Sequence, residues 1–415
     1  MSDTSRPRIL HIDFSGYGVM THVLSILDNA DHDRWEHCVL YAADKARPGV
    51  DSYKTELADR SIRGWAVPVC RDITAGDLIA TSKTWKLLGE IRPAIVHCHS
   101  TKAGAIGRFC AALRGRLPTV YTPNSFSFQM AEPKTRKRSV LTAIERLLGK
   151  VTGRLIAVSQ TEYDLAIREG ITGADATFLI PNGVNIPQMD AAAGKRVATR
   201  QALNLSDSEP VVCFSARLAP QKMPEVVIKA AAALKSKGLS PTFLFIGGGP
   251  LEADCRDLIT QLQVEENVRL LGWKPYDEAL SILAASDVMV LPSRYEGLPL
   301  AALEAQAVGA VPILTQVPGS QDAIKDGETG VFVPFNDPEA LGAAIQKLLL
   351  SPEQRAAFAA AGKKHIQSRY NAALMAQSVE ALYGEFLKRG AADKTQPIPD
   401  DFHASSAPVP DPGNY

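Results

Sequence analysis

The stretch VVCFSARLAPQKMPEVVIKAAAALKSKGLSPTFLFIGGG, residues 211–249, decides the fold. Two short apolar runs, rich in β-branched and aromatic residues, enclose a longer segment with helical spacing, EVVIKAAAALKSKG. Apolar runs of this length separated by a helix are typical of parallel strands that are covered on both faces. The stretch is therefore interpreted as a β-α-β unit.

The same alternation extends over most of the chain and predicts thirteen strands. They are 8–15, 37–43, 65–69, 94–100, 119–124, 154–159 and 177–183 in the first half, and 211–218, 242–248, 268–273, 287–293, 311–317 and 330–335 in the second. Each series is long enough for a doubly wound domain. The predicted fold is α/β, with two tandem Rossmann-like domains that face each other across a cleft.

The domain boundaries follow from changes in pattern. We predict a first domain at 1–186, completed by a C-terminal helix around 372–390, and a second domain at 187–371. The join lies near residues 184–208, which are polar and show little strand pattern. Residues 391–415 contain five prolines and almost no apolar pattern, so they are predicted to be a disordered tail.

Composition narrows the class of protein. The 415 residues have zero net charge, but residues 1–185 carry 24 Lys and Arg against 19 Asp and Glu, and the remainder 21 against 26. The six cysteines show no C-x-x-C spacing, which favours reduced thiols over disulfides or a zinc site. The start MSDTSRPRIL does not show the charged-then-apolar pattern expected of a signal sequence, and no apolar run approaches the ~18 residues that cross a bilayer. We expect a cytoplasmic protein without a nucleic-acid partner.

The segment SRYEGLPLAALEAQAVG, residues 293–309, places two carboxylates beside a helix start. The helix is predicted to begin near Pro299, with Glu296 on the approach loop and Glu304 inside the helix. An anion site is expected at this helix start, formed by the amides around Gly297, Leu298 and Leu300. Carboxylates beside such a site suit a nucleotide sugar, whose hydroxyls need acceptors. The alternative is that Glu304 caps a nearby loop and Glu296 is solvated.

Two cationic side chains follow the strand at 211–218. Arg217 and Lys222 are predicted to lie on the loop before the next helix, where both can reach a diphosphate. Surface charge is the alternative for this motif taken alone. Beside the glutamates, the pair supplies the countercharge that a leaving diphosphate requires.

A run of three glycines, Gly247, Gly248 and Gly249, ends the next strand. Glycine permits close backbone approach and unusual dihedral angles, so this loop is a candidate for nucleotide contact. A tight turn is the alternative.

Together, E-x7-E, R-x4-K, the strand-GGGP turn and PNGV at 181–184 resemble the retaining glycosyltransferases of family 4. The resemblance covers roughly residues 8–390 and implies the two-domain GT-B fold. It also implies roles for the matching positions: Arg217 and Lys222 hold the donor diphosphate, Glu296 meets the donor sugar, and Glu304 binds the ribose. No metal and no cofactor are expected, because cationic groups and helix amides neutralise the leaving group.

The resemblance assigns the acceptor to the first half. Gly16 and Gly18 match the family's first loop near the diphosphate, and the missing third glycine argues against a dinucleotide fingerprint. In HCHSTKAGAIGR (97–108), His99 and Lys102 match positions that face the cleft. The alternative for this segment is a capped helix start with a buried His97. A metal site is not predicted for the HCH triplet, since alternating strand positions point to opposite faces.

One position departs from the family. Asn124, in VYTPNSFSF, stands where many relatives carry a histidine that contacts the donor sugar. Asn can hydrogen-bond a sugar hydroxyl but cannot shuttle a proton. A mechanism in which the leaving phosphate acts as the base would tolerate this residue.

The densest basic run is EPKTRKRSVLTAIERLLGK, residues 132–150. Its apolar residues recur at helical spacing and basic residues flank them, as in helices that lie on anionic membranes. The alternative is a core-facing helix with a solvated basic side. The first interpretation implies peripheral contact with the inner face of the plasma membrane.

These observations predict a retaining, metal-independent glycosyltransferase. It would move a hexose or N-acetylhexosamine from a nucleotide diphosphate sugar, UDP above all, to a saccharide or polyprenyl-linked acceptor in surface polysaccharide synthesis. Two alternatives are a nucleotide-sugar epimerase on the same plan and a non-catalytic saccharide-binding relative. Conversion of the donor alone would favour the first, and tight donor binding without turnover the second.

Overall fold

The computed structural model describes residues 6–43, 50–70, 74–130 and 135–389. In these ranges, thirteen parallel strands form two sheets. The strands are β1 Arg8–Asp13, β2 Glu36–Ala42, β3 Arg63–Val67, β4 Ile95–His99, β5 Thr119–Thr122, β6 Arg154–Ala157, β7 Thr177–Leu179, β8 Val211–Ser215, β9 Thr242–Ile246, β10 Val268–Gly272, β11 Val288–Leu291, β12 Val311–Thr315 and β13 Val331–Val333.

Fifteen α-helices are described alongside the strands. They are α1 Tyr17–Asp28, α2 Val50–Asp59, α3 Gly76–Ile91, α4 Thr101–Leu113, α5 Arg136–Gly149, α6 Gln160–Arg168, α7 Ile186–Ala193, α8 Arg196–Ala202, α9 Pro224–Ser236, α10 Glu252–Gln261, α11 Tyr276–Ala284, α12 Leu300–Val308, α13 Pro338–Leu349, α14 Pro352–Arg369 and α15 Ala372–Arg389.

All thirteen predicted strands are confirmed, and with them the two-sheet α/β fold. Several end earlier than predicted: the run 177–183 is a strand only over Thr177–Leu179, and the run 211–218 only over Val211–Ser215. The residues beyond these ends form the loops that carry the candidate site. The predicted tail at 391–415 and residues 132–134 of the basic run lie outside the described residues.

The strand order brings the candidate loops together. It is β3-β2-β1-β4-β5-β6-β7 in the first sheet and β10-β9-β8-β11-β12-β13 in the second. The order reverses between β1 and β4, and again between β8 and β11. Ligands of doubly wound folds bind outside the carboxyl ends of the strands at such reversal points. The segments after β1, β4, β8 and β11 carry most of the candidate residues, while Asn124 and the glycine run follow the adjacent strands β5 and β9.

The C-terminal helix α15 packs on the first sheet. Ala372, Met375, Val379, Leu382, Tyr383 and Phe386 form one buried cluster with residues of β1, β4, β5 and β6. The chain crosses between the two sheets at Val184 and again at Asn371, and these two crossings pair as an isolated parallel bridge. The domain boundaries near 186 and 371 stay predictions.

Gly183 lies where the two crossings touch. A Cβ atom at this position would lie 2.6 Å from backbone atoms of Asn371 and Ala372, neither of which can rotate away. We expect Gly183→Ala to lower the free energy of unfolding by roughly 1–3 kcal/mol through overpacking. Chemical denaturation measures this, with Gly194→Ala as the control because its Cβ would lie 3.6 Å from the nearest atoms. Equal stability of the two variants would contradict the prediction.

Candidate active site

The loops after β8 and β11 meet at an ion pair. Lys222 Nζ donates to Glu296 Oε1 at 2.6 Å, with Lys222 partly exposed and Glu296 buried. Gln221 bonds twice to the second loop: its carbonyl accepts from Arg294 N and its side-chain amide donates to Tyr295 O. Arg217, earlier on the first loop, is exposed to solvent. A cation and a carboxylate are thus held together at the carboxyl edge of the second sheet.

Glu304 is buried in α12 and accepts a hydrogen bond from the Tyr276 hydroxyl at 2.7 Å. Burial raises the pKa of Glu304 to about 7, and the bond from Tyr276 lowers it in part. The loop-capping alternative for Glu304 is therefore wrong, since its described partner is a side chain of α11. A carboxylate with one donor still has acceptor capacity for hydroxyl groups.

The helix that carries Glu304 begins with an uncapped end. Pro299 occupies the N-cap position of α12 and provides no side-chain cap. Leu298 is buried and Leu300 opens the helix. The four first amides of a helix have no intrahelical acceptor and carry the positive end of its dipole. This helix start offers a site for an anion beside the Lys222–Glu296 pair.

The glycine run after β9 packs against the loop that carries Arg217. Gly247 has φ +127°, and a Cβ there would lie 2.2 Å from the carbonyl oxygen of Ala216. A Cβ on Gly249 would lie 2.3 Å from the carbonyl oxygen of Leu218, while Gly248 has no neighbour closer than 3.5 Å. Two of the three glycines are therefore required by backbone contact within the protein, which is the tight-turn alternative. Only Gly248 has space beside it.

In the first domain, the loop after β1 is open. Gly16 and Gly18 are exposed, and a Cβ at either would meet nothing within 4 Å. Gly16 is the N-cap of α1 and provides no side-chain cap. The start of α1 is a second uncapped helix end, at the reversal point of the first sheet.

Asn124 lies against the second domain. A Cβ on Gly297 would be 3.0 Å from Asn124 C and 2.9 Å from Ser125 N, so the two loops touch through their backbones. Asn124 Oδ1 accepts from Asn182 Nδ2 at 3.4 Å, and its own buried Nδ2 has no partner among the described residues. The structure thus brings Asn124 to the same turn as Glu296.

His99 and Lys102 do not lie open to the cleft, contrary to the expectation from the resemblance. His99 is fully buried, and Lys102 pairs with Asp77 at 2.7 Å and donates to the carbonyl of Cys70. The physical reason is the packing of the segment: His99 points into the sheet–helix interface, and Lys102 turns back to the start of α3.

The expectation that the residues of the HCH triplet point to opposite faces, which argued against a metal, is wrong for its two histidines. His97 and His99 are two positions apart and share one face of β4, where His11 of β1 joins them, and one ring nitrogen from each lies within 4.8 Å of the others. His11 bonds to His99 at 3.0 Å and to His37 at 2.9 Å, and His97 bonds to Tyr383 and Thr122. Histidine–histidine and histidine–hydroxyl bonds thus occupy both ring nitrogens of His11 and of His97.

Burial keeps this cluster uncharged. It lowers the pKa of His11, His97 and His99 well below the usual value for histidine, and that of His22, which lies edge-on to His99, to about 4. His37 Nε2 lies 3.8 Å from a Glu380 oxygen. The cluster ties α1 and α15 to the first sheet.

Helix α5, the described part of the basic run, turns three apolar residues outward, while Leu141 packs against the core of the first sheet. Val140, Ile144 and Leu147 are 57%, 44% and 66% exposed, so the core-facing alternative is wrong for them. The buried positions are Thr142 and Glu145. Glu145 pairs at 2.8 Å with the fully buried Arg108, which stacks on the Tyr121 ring. No helix in the described ranges is long and apolar enough to cross a membrane.

Sequence reasoning missed three residues at the site. Tyr276 belongs to none of the motifs, although it contacts Glu304. Asn182 was noted only as part of PNGV, although it contacts Asn124. Glu162 is buried and bonds to the backbone beside Asn124, and burial raises its pKa to about 7. The spacing S-x-x-E from Ser159 could have indicated a helix start at Glu162, but not its distant partner.

Comparison with known proteins gives matches over both domains. Residues 17–183 match the family model described as "Glycosyl transferase 4-like domain", and residues 195–365 match "Glycosyl transferases group 1". The chain is 32% identical over 299 residues to UDP-Gal:alpha-D-GlcNAc-diphosphoundecaprenol alpha-1,3-galactosyltransferase of Escherichia coli, covering 71% of this chain and 76% of that protein. It is 31% identical over 241 residues to a GDP-mannose-dependent monoacylated alpha-(1-6)-phosphatidylinositol monomannoside mannosyltransferase of Corynebacterium glutamicum, covering 56% of this chain and 62% of that protein.

Solved structures share the fold. HepE of Anabaena, in complex with UDP and glucose, aligns with a TM-score of 0.75 at 20% identity, over 92% of this chain and all of that one. Sucrose-phosphate synthase from Thermosynechococcus elongatus aligns with a TM-score of 0.75 at 21% identity, over 93% and 100% of the two chains. The two-domain arrangement is common to all three proteins.

Proposed function

This chain belongs to the group 1 glycosyl transferases and has the GT-B fold, and from that premise we propose the reaction that it catalyses. It transfers a hexose or an N-acetylhexosamine from a UDP-sugar to a saccharide carried on a lipid diphosphate, in the synthesis of a surface polysaccharide. The anomeric configuration is retained, and no metal ion takes part.

One observation carries the proposal: the Lys222–Glu296 pair lies beside the uncapped start of α12. Lys222, Arg217 and the first amides of α12 stabilise the negative charge that develops on the diphosphate as the sugar departs. Glu296 accepts hydrogen bonds from the sugar, and Glu304 accepts them from the ribose. This supply of positive charge supports a reaction without a metal.

Retention is compatible with Asn124, the residue whose backbone touches the turn of Glu296. Asn124 has no titrating group, so it cannot serve as a base or a nucleophile, and a mechanism in which the leaving phosphate acts as the base requires neither from it. The acceptor hydroxyl then attacks from the side on which the diphosphate leaves. The departing phosphate takes the proton, and the new bond forms on the face of the broken one.

The acceptor is proposed from two independent supports. The Escherichia coli relative is named for a GlcNAc-diphosphoundecaprenol acceptor. Helix α5 adds an outward apolar face to its exposed basic residues, and further large exposed apolar side chains lie on the neighbouring helices α3 and α4: Leu78, Ile79, Trp85, Phe109 and Leu113. Such a surface suits contact with an anionic membrane, where a lipid-linked acceptor resides.

The test is a transfer assay in EDTA with UDP-galactose, UDP-glucose, UDP-N-acetylglucosamine and GDP-mannose, and a synthetic α-D-GlcNAc-diphospholipid as acceptor. We expect transfer from a UDP-sugar and an α-linked product from the α-configured donor, read by NMR coupling constants. A β-linked product or a requirement for Mn²⁺ would contradict the mechanism. Epimerised donor in the absence of acceptor would instead favour the epimerase.

The proposed membrane contact through α5 can be tested separately from the transfer reaction. Ile144→Ser with Leu147→Ser removes two exposed apolar side chains of α5, each worth about 1.5–3 kcal/mol when fully buried in an apolar phase. We expect at least roughly tenfold weaker binding to phosphatidylglycerol vesicles in a sedimentation assay. The control is Leu350→Ser, at a 65% exposed position of the second domain. An equal loss of vesicle binding in both variants would refute the assignment of the membrane-contact surface to α5.

A further inference from the structure

The loop that carries Asn124 is held in a costly conformation. Asn124 has φ +51° and Ser125 has φ +89°, two consecutive left-handed residues that are not glycine. Such residues cost on the order of 1–3 kcal/mol each and persist only where the surroundings fix them. Something must therefore hold this loop in place.

Glu162 is the group that holds it. Its Oε1 accepts from Ser125 N at 2.7 Å, and its Oε2 accepts from Val158 N at 2.9 Å. The side chain is buried, so both bonds form away from water. Oε1 thus binds the backbone beyond β5, and Oε2 binds the backbone beyond β6.

This use of Glu162 departs from an ordinary helix start. Ser159 caps α6 by accepting from Glu162 N at 3.1 Å. In a capping box, the glutamate would return to the amide of the capping residue. Here its oxygens bond instead to the amide before Ser159 and to the distant Ser125. The helix start would be capped without the Glu162 side chain, which is therefore free to serve the loop.

The other sides of the loop and of the helix meet the second domain. Gly297 packs on the backbone of Asn124 and Ser125. The Asp322 carboxylate accepts from Thr161 Oγ1 at 3.0 Å and from the amides of Gln160 and Thr161 at 3.3 and 3.4 Å. The first turn of α6 is therefore bonded both to the second domain and to the loop of Asn124.

We infer that Glu162 is a positioning residue, which fixes Asn124 against the donor sugar and links that loop through α6 to the second domain. This inference rests on the proposed function, because only a sugar transferase has a donor sugar for Asn124 to contact. Glu162 touches no substrate and acts through the Ser125 amide. It should affect the rate of transfer more than the affinity for the nucleotide, whose proposed contacts lie on the second domain.

The test compares Glu162→Gln with the wild type. Glutamine has the same shape, but it keeps one acceptor and turns an NH₂ group toward the second amide. We expect faster hydrogen exchange in the peptide that contains Ser125 and a roughly 10–100-fold lower kcat with the active UDP-sugar, since a small misplacement at a reacting centre is costly. The Kd for UDP should stay within about twofold by calorimetry. Glu162→Asp, which keeps both carboxyl oxygens, should recover part of the kcat.

Asp164→Asn is the matched control. Asp164 lies on the same helix and accepts only from Gln160 Nε2 among the described contacts, so exchange at Ser125 and kcat should match the wild type. Unchanged exchange at Ser125 in Glu162→Gln would overturn the inference, and so would an equal loss of kcat and of UDP affinity. A wild type that transfers from none of the donors refutes the proposed function, and the exchange result then decides alone whether Glu162 holds the loop.

Discussion

Replacing Lys222 with alanine should lower kcat for transfer by about 10²–10³-fold, the loss typical when one preorganised group that stabilises developing charge is removed. Lys222 Nζ is 2.6 Å from Glu296 beside the α12 start, so it can compensate both that carboxylate and the departing diphosphate. Alanine removes both functions. Steady-state kinetics with the active UDP-sugar measures the effect, and the KM for donor should change much less than kcat if the interaction strengthens in the transition state.

Two comparisons separate this effect from a general loss of charge or of stability. Lys229→Ala removes an exposed lysine of the following helix α9 and should leave kcat unchanged. Lys222→Arg keeps the positive charge and should retain more activity than alanine. A Lys222→Ala enzyme with wild-type kcat, or one whose loss of activity is matched by Lys229→Ala, would remove the basis of the proposed mechanism.

Acidification below pH 6.5 should destabilise the protein steeply. His11, His22, His97 and His99 have folded-state pKa values below that of an unfolded histidine, about 6.5, because they are buried. Between those values the unfolded chain binds more protons than the folded one, so stability falls as the pH falls. Each fully titrating histidine contributes about 1.4 kcal/mol per pH unit, and four contribute about 5.

Buried carboxyl groups offset part of this slope. Burial raises the pKa of Glu162 and of Glu304 to about 7, so between about pH 7 and 4.5 the folded state binds protons that the unfolded chain does not. These two groups add stability as the pH falls. Their proton uptake in the folded state offsets the uptake by about two of the four histidines in the unfolded state. Asp322, whose pKa is also raised by burial, acts in the same direction. The net slope near pH 5.5 is then about 1.4–2.7 kcal/mol per pH unit.

Urea denaturation at pH 7.5, 6.5 and 5.5 measures this slope. His22→Leu should reduce the slope of stability against pH by the contribution of about one proton. It should leave the free energy of unfolding at pH 7.5 equal or higher, because neither ring nitrogen of His22 has a partner among the described residues. A stability that is flat from pH 7.5 to 5.5 would show that the histidine cluster is not neutral in the folded state.

The strands could be predicted from sequence because a buried parallel strand has a local signature. Runs such as VMVL at 288–291 are apolar at every position, and a helix pattern follows each one. Loop positions could be assigned from the same pattern, since they follow the strand ends. This is why Lys222, Glu296 and Glu304 were expected near one another, and why the structure brings the first two into contact.

Partners across the fold could not be predicted in this way. The orientation of α5 depends on Arg108, a fully buried arginine on α4. Arg108 needs Glu145 of α5 as its counter-ion, so Glu145 faces inward and Val140, Ile144 and Leu147 face outward. The hydrogen bond from Tyr276 to Glu304 likewise joins two helices, and that from Ser125 to Glu162 joins a loop to a helix. In each case, the deciding contact is between residues distant in sequence, and no local spacing encodes it.

The position of α15 determines when the protein can fold during its own synthesis. The ribosome makes the seven strands of the first sheet before the second sheet, yet one wall of the first sheet's core, from Ala372 to Phe386, follows the six strands of the second. Until this helix leaves the exit tunnel, Ile9, Ile95, Val120 and Ile156 lack the part of their covering layer that α15 provides. We therefore expect the nascent amino-terminal half to keep apolar surface exposed while the whole of the second sheet is translated.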